Sequence, residues 1–332
     1  MLFSVRFNND LSLSSYPRLA QAAEAAGFDQ FWVSDDLFLR GVWPILSACA
    51  VATERIQLGT TIVNPYTLHP AEMAMQAAAL DEMSGGRFNL GIAAGATDFL
   101  QWVGLSQTRP YTRIAETLSV LRALFAGERV PFSGRELTGW TDKAYLRFPT
   151  RPIPLYVGAM SPKMLGLIGA AADGGLPLVM PPESYVDVLQ HIRDGADEAG
   201  RNLSDVDVAA CVWVSVAENS DEAADALREK VAYYGHALSE TILDRLGLKQ
   251  EEFAEIEGAI QAERDVERAK SLVTDRMLRI GICGDGREII ARLERLVEMG
   301  AVHLSFGPPL GPDLMKALHV LGRDVIPHFR HF

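Results

Sequence analysis

The chain has 332 residues, 48% hydrophobic and 22% charged, with a formal net charge of -12. That length suits one large α/β domain or two ordinary ones, and the acidic balance excludes a nucleic-acid binder, which needs a basic surface to neutralise phosphates. Three widely separated cysteines (Cys49, Cys211, Cys283) form no CxxC pair and exclude a disulfide framework or a zinc ribbon, so a reducing cytoplasmic setting is expected.

Met1 runs directly into a strand-like segment with no basic-then-apolar leader, and no apolar run approaches the roughly 20 residues of a membrane span. In chain order, strands are expected at 2–7, 30–33, 56–58, 88–92, 154–157, 176–179, 206–216 and 302–306. Amphipathic stretches separate them, the first a helix over 16–26 closed by Gly27. Repeated βα units of this kind build a parallel sheet. A doubly wound sheet would carry a glycine-rich fingerprint after the first strand, where Asn8-Asn9-Asp10-Leu11 stands instead, so a single-domain (β/α)8 TIM barrel over 1–332 is the better architecture. Two segments exceed a minimal repeat and read as rim insertions. Residues 127–149, rich in Gly, Pro and aromatics, suggest a hairpin or an extended excursion. Residues 235–277, strongly charged, suggest exposed helices covering part of the mouth.

Barrel enzymes place their sites just beyond the carboxyl ends of the strands. After the second strand stand Asp35 and Asp36, either a pair with raised pKa that handles protons or a helix cap beside a solvated acid. The third strand runs into a long loop, 59–70, in which His69 and Pro70 read as the start of a helix. The fourth ends in Gly91-Ile92-Ala93-Ala94-Gly95-Ala96, whose missing bulk leaves room for a ligand or lets strands pack. The fifth meets Gly158-Ala159-Met160-Ser161-Pro162: a capped helix whose free N–H groups suit a phosphate. Met180-Pro181-Pro182 and 306–312 are further walls or turns, and His328 and His331 read as solvated. No P-loop, HExxH, GxSxG or metal-spaced histidine pair occurs, so neither a metal site nor a nucleophile triad is expected.

Several of these segments in register, namely Asn64-Pro65-Tyr66-Thr67 with His69-Pro70, residues 80–87, Tyr156-Val157-Gly158-Ala159 with 162–165, and 306–312, resemble the methylenetetrahydromethanopterin reductases of the bacterial-luciferase-like superfamily. The resemblance spans nearly the whole chain. It implies a barrel holding coenzyme F420, a 5-deazaflavin, and hydride transfer between its C5 and a small organic substrate, in a cytoplasmic homodimer built on the outer helices. It also implies a cis Thr61–Ile62 peptide as a bulge behind the ring, Asn64, Gly95 and Ala96 lining that ring, and Gly158, Ala159 and Met160 at the phosphate. Three positions depart from the reductases: Arg6 stands for a glutamate, Asp36 for a histidine and Ala96 for an acid. These imply a changed substrate, with Arg6 recognising an anion or pairing with Asp35 and Asp36, and with Asp98 and Tyr66 as replacement proton handlers. The alternatives are an FMN-dependent monooxygenase on the same barrel and a non-catalytic flavin-binding homologue.

Overall fold

Every named strand pair in the sheet is parallel. The computed structural model describes residues 1–129 and 131–330, and among these, helices alternate with nine strands: β1 (Leu2–Phe7), β2 (Gln30–Val33), β3 (Gln57–Thr60), β4 (Phe88–Ile92), β5 (Leu155–Ala159), β6 (Gly174–Pro177), β7 (Asp207–Val216), β8 (Ile282–Gly284) and β9 (His303–Leu310). Pairing passes in sequence from β1 to β7, and β9 bridges β7 and β1, so eight strands close the expected (β/α)8 ring.

The eight expected strands are the eight of the ring, with displaced ends. β6 begins earlier than its apolar run because Gly174 and Gly175 belong to it. A Cβ on Gly174 would overlap the Tyr156 ring, and one on Gly175 would come within 2.6 Å of Ile168. Glycines that read as strand breakers are here what close packing requires. β8 was not expected. It is a three-residue spur on the carboxyl end of β7, where Val214–Val216 pair with it, too short to carry a periodicity.

Outward side chains of the strands, among them Phe3, Val5, Phe31, Val33, Leu90 and Val157, pack with the helices into the main core. Inward ones fill the barrel: Trp32, Tyr156, Leu176, Ala209 and Cys211 form one cluster, and Trp32 occupies the space that a Cβ on Gly59 would need. Below them lies a polar floor. His303 is fully buried, its Nδ1 2.8 Å from Asp207 Oδ1 and its Nε2 2.8 Å from Ser4 Oγ. Tyr156 donates to the other Asp207 oxygen at 2.7 Å, and Trp32 Nε1 donates to Gln30 at 3.0 Å.

The first helix is Ser15–Ala25, with Gly27 just past its end as expected. In the 127–149 excursion Phe132 N–H donates to the Trp140 carbonyl at 3.0 Å, an antiparallel bridge in keeping with the hairpin reading. The 235–277 insertion differs from its charge pattern. Its short helices are not simply exposed: Leu243, Leu246, Phe253 and Ile256 join Leu227, Val231 and the strand-end residues Met180 and Trp213 in a second apolar core. Charged residues face solvent on one side while the apolar side packs against Met180 and Trp213. At the C-terminus, His328 is exposed as expected, with Nε2 2.9 Å from Glu294; His331 lies outside the described residues.

Candidate active site

On one side of the mouth the ends of β3, β4 and β5 form a cradle of small residues. The Thr61–Ile62 peptide is cis, and the Ile62 side chain lies against β5, 3.1 Å from where a Cβ on Gly158 would stand; the Ala93 methyl lies 3.2 Å from the same point. Gly95, with φ +75°, faces the Asn64 amide nitrogen, 3.1 Å from its own missing Cβ. A side chain is disfavoured there by backbone conformation and by space alike. Asn64 is held by its Oδ1, which accepts the N–H groups of Tyr66 (3.1 Å) and Thr67 (3.0 Å). Ala96 is exposed and caps the short helix Thr97–Trp102. Beyond β5, Ala159 is buried and Met160 exposed. Ser161 is the N-cap and Pro162 the first residue of the helix Pro162–Ala171, with no side chain bonded across that end. Its first N–H groups are therefore open toward the mouth.

Across the mouth, the adjacent acids after β2 divide the two readings their sequence allowed. Asp35 accepts the N–H of Val42, the first residue of the next helix, at 3.2 Å. Asp36 accepts a bond from Ser34 at 3.3 Å, while Asn9 takes its backbone N–H and donates to its carbonyl. Burial raises both carboxyls, Asp35 further through the charge of Asp36 and Asp36 further through Asp10. Arg6 pairs with neither. Its side chain points into the barrel from β1, donating to Ser305 Oγ at 3.1 Å and to the Val212 carbonyl at 2.9 Å, in space that a Cβ on Gly307 would fill.

A cation does oppose Asp36, from an element the sequence did not bring forward. Lys230, on the helix Ser220–Tyr234 after β7, lowers the Asp36 pKa, and Asp36 and Asp10 act back on Lys230. Its ammonium lies 3.8 Å from the Tyr234 ring centre and 5.3 Å from that of Trp213. Together with Phe7, Asn8, Asp10, Glu229, Tyr233, Tyr234 and the 308–312 segment, it lines a cavity of about 490 Å³, a volume that suits a small organic molecule. None of the cradle residues lines this cavity. The two lie on either side of β2, the cradle over β3–β5 and the cavity over β1 and β9. The Met180–Pro181 and Pro308–Pro309 peptides, both cis, stand at the ends of β6 and β9.

Of the other expected proton handlers, Tyr66 donates its hydroxyl to the Thr108 carbonyl at 2.5 Å, with Arg113 over its ring, and burial raises its pKa. Asp98 sits exposed in the first turn of Thr97–Trp102. His69 is the N-cap of Pro70–Met83, its ring nitrogen accepting the Ala71 N–H at 3.2 Å and its face stacked on Trp140. The rim beside Asp36 is apolar, with Phe38 72% and Trp102 65% exposed and their rings 6.3 Å apart.

The family model for luciferase-like monooxygenases matches residues 5–303. The chain belongs to that family. Within it, the chain is 32% identical to a 5,10-methylenetetrahydromethanopterin reductase of Methanolobus tindarius, over 98% of this chain and all of the relative. It is 31% identical to an F420-dependent glucose-6-phosphate dehydrogenase of Nakamurella multipartita, over 94% of this chain and 91% of the relative. Among solved structures it superposes on the coenzyme F420-dependent tetrahydromethanopterin reductase of Methanopyrus kandleri with a TM-score of 0.93 at 30% identity, over 99% of each chain. In this luciferase-like chain the groups that sequence reading missed are Lys230, Asp10 and Tyr234. The sole signal for Lys230 was a lysine between two apolar positions, Leu227 and Val231, on a helix that otherwise sheds charge outward.

Proposed function

We propose that the chain is an F420-dependent oxidoreductase acting on a small organic substrate whose identity differs from that of the reductases it resembles. The observation that carries the reading is the cradle at β3–β5. Ile62, Ala93, Asn64, Gly95 and Gly158 leave a flat floor that a Cβ at either glycine would break, and it leads to an open helix N-terminus at Ser161–Pro162. A planar ring and its phosphate fit those two parts. The full-length relatives named for F420 support the cofactor's identity.

When bound, the deazaflavin supplies two-electron hydride chemistry at C5. The protein does the rest. Ile62 supports the ring from behind, while Asn64, Gly95 and Ala96 border it; Gly158, Ala159 and Met160 approach the phosphate. Asp36, raised by burial, and Asp10 set the charge of the substrate side, and Arg6 fixes the barrel wall beneath it. Tyr66 anchors the rim at Thr108, and Asp35 anchors the Val42 helix. Asp98, exposed in the first turn of Thr97–Trp102, is left open to solvent at the rim. The chain is read as a cytoplasmic homodimer. Its three free cysteines support the compartment, and exposed Val51, Met75 and Met83 on the outer helices support the contact. Among the described residues, no helix is long and apolar enough to cross a membrane.

Titration of the purified protein with F420 and, separately, with FMN, followed by quenching of cofactor fluorescence, tests the proposal. Saturable binding of F420 with weaker or no binding of FMN is expected; preference for FMN would replace the reading with a flavin monooxygenase.

A further inference from the structure

A hydride added to a carbon–oxygen or carbon–nitrogen double bond leaves an electron pair on the heteroatom, and that atom needs a proton. The chain must offer an acid at the substrate side whose proton can leave. Arg6 cannot serve, because a guanidinium does not release its proton in the working pH range. Asp35 is occupied at Val42, Tyr66 at the Thr108 carbonyl, and Asp98 is exposed to solvent.

We propose that Lys230 is the catalytic residue that gives and takes the substrate proton, an inference that rests on the oxidoreductase reading above. Four observations carry it. Lys230 lines the 490 Å³ cavity, a concave space of a size that suits a small organic substrate. Among the described residues its ammonium makes no hydrogen bond or ion pair, only the ring contacts with Tyr234 and Trp213, so its protons are free for a ligand. The groups facing it come from several elements: Asp10 beyond β1, Asp36 beyond β2 and Arg6 on β1, with Glu229, Tyr233 and Tyr234 on its own helix. Burial, with a smaller push from Arg6, lowers its pKa to about 8 against the pull of Asp36 and Asp10, which places it where an acid and its base are both populated near neutral pH.

The step balances in both directions. During reduction the hydride joins the substrate carbon, the π pair moves to oxygen or nitrogen, and the Lys230 ammonium protonates that atom and becomes an amine. During oxidation the amine removes the O–H or N–H proton as hydrogen leaves the carbon with its electron pair for the deazaflavin. Asp36 and Asp10 are positioning residues here: their charge keeps enough of the ammonium form in a desolvated place.

Two measurements test the assignment. Trace acetylation of the whole apoprotein with acetic anhydride across a pH series, read by peptide mass spectrometry, reports the ionisation of Lys230 without any turnover. A midpoint near 8, moving lower in Asp36→Asn, is expected; a midpoint at the ordinary lysine value of about 10.4 overturns the proposal. The second follows F420 turnover by Lys230→Arg and Lys230→Met with 5,10-methylenetetrahydromethanopterin, glucose 6-phosphate and acetone as probes, alongside F420 affinity. Both variants should lose turnover by about a hundredfold or more at unchanged affinity, because arginine keeps the charge and holds the proton. Full turnover in the arginine variant overturns the proposal. Loss of F420 binding by the unmutated protein would instead sink the oxidoreductase reading, while the labelling midpoint still decides on Lys230; should no probe turn over, that midpoint decides alone.

Discussion

The floor and the mouth of this barrel hold the same kinds of residues to opposite ends. At the floor, Asp207, His303, Ser4 and Tyr156 are close-set and mutually bonded. Burial alone would push the Asp207 carboxyl up, yet the charge and hydrogen bond of His303, with Tyr156 and Gln30, hold it below the usual range. The order Ser4–His303–Asp207 has the connectivity of a nucleophile triad, but Ser4 and His303 are fully buried beneath Trp32 and Tyr156. At the mouth, Asp36 and Lys230 are also desolvated, and there burial wins: the acid is raised and the base lowered. Buried polar groups that satisfy one another make a scaffold, and buried polar groups left short of partners beside a cavity make a site.

Substitutions should therefore separate by region. The largest effect belongs to the floor: Asp207→Ala strands His303 and Tyr156 and should cost about 3–5 kcal/mol in urea unfolding, with F420 affinity unchanged in the fraction that stays folded. The pH dependence follows from the sign of the shift. A carboxyl held low in the folded state adds stability above its unfolded value of about 3.9 and loses it as pH falls through the folded value, so Asp207→Asn should flatten the acid limb of the stability curve. Next, Asp36→Asn, which removes the charge that keeps Lys230 protonated, should reduce turnover and move its pH profile to lower pH while shifting unfolding by less than about 1 kcal/mol; full activity with an unmoved profile would return Asp36 to a structural role. Gly158→Asp, which puts a negative charge beside the phosphate position, should weaken F420 binding about tenfold or more, equivalent to about 1.4 kcal/mol; unchanged affinity would move the phosphate elsewhere. The smallest effect is expected for Tyr66→Phe, which loses one bond to the Thr108 carbonyl, about 1 kcal/mol, visible as faster hydrogen exchange in the rim near 103–109.

Much of the scaffold was legible because it depends on local periodicity: strand and helix alternation, the glycines before β4, and Pro162 opening a helix after Ser161 all read directly. The cradle was legible as missing bulk, and resemblance supplied the register for the cis Thr61–Ile62 bond. What stayed hidden depends on distance in the chain. Lys230 is separated from Asp36 by most of the barrel, and Ala226-Leu227-Arg228-Glu229-Lys230 reads as any amphipathic helix. Arg6 looked like a partner for the acids because all three stand near strand ends. Its inward side chain and the gap at Gly307 direct it instead to β7 and β9. The second core under 235–277 was masked by the charges on its outer face.

The most direct test of the division between floor and mouth is hydrogen-exchange mass spectrometry with and without F420. Protection should appear at 61–64, 93–96 and 158–164, with the floor strands near Ser4, Gln30, Asp207 and His303 unchanged. Protection at the floor, or none at the three strand ends, would contradict a cofactor held by the β3–β5 cradle.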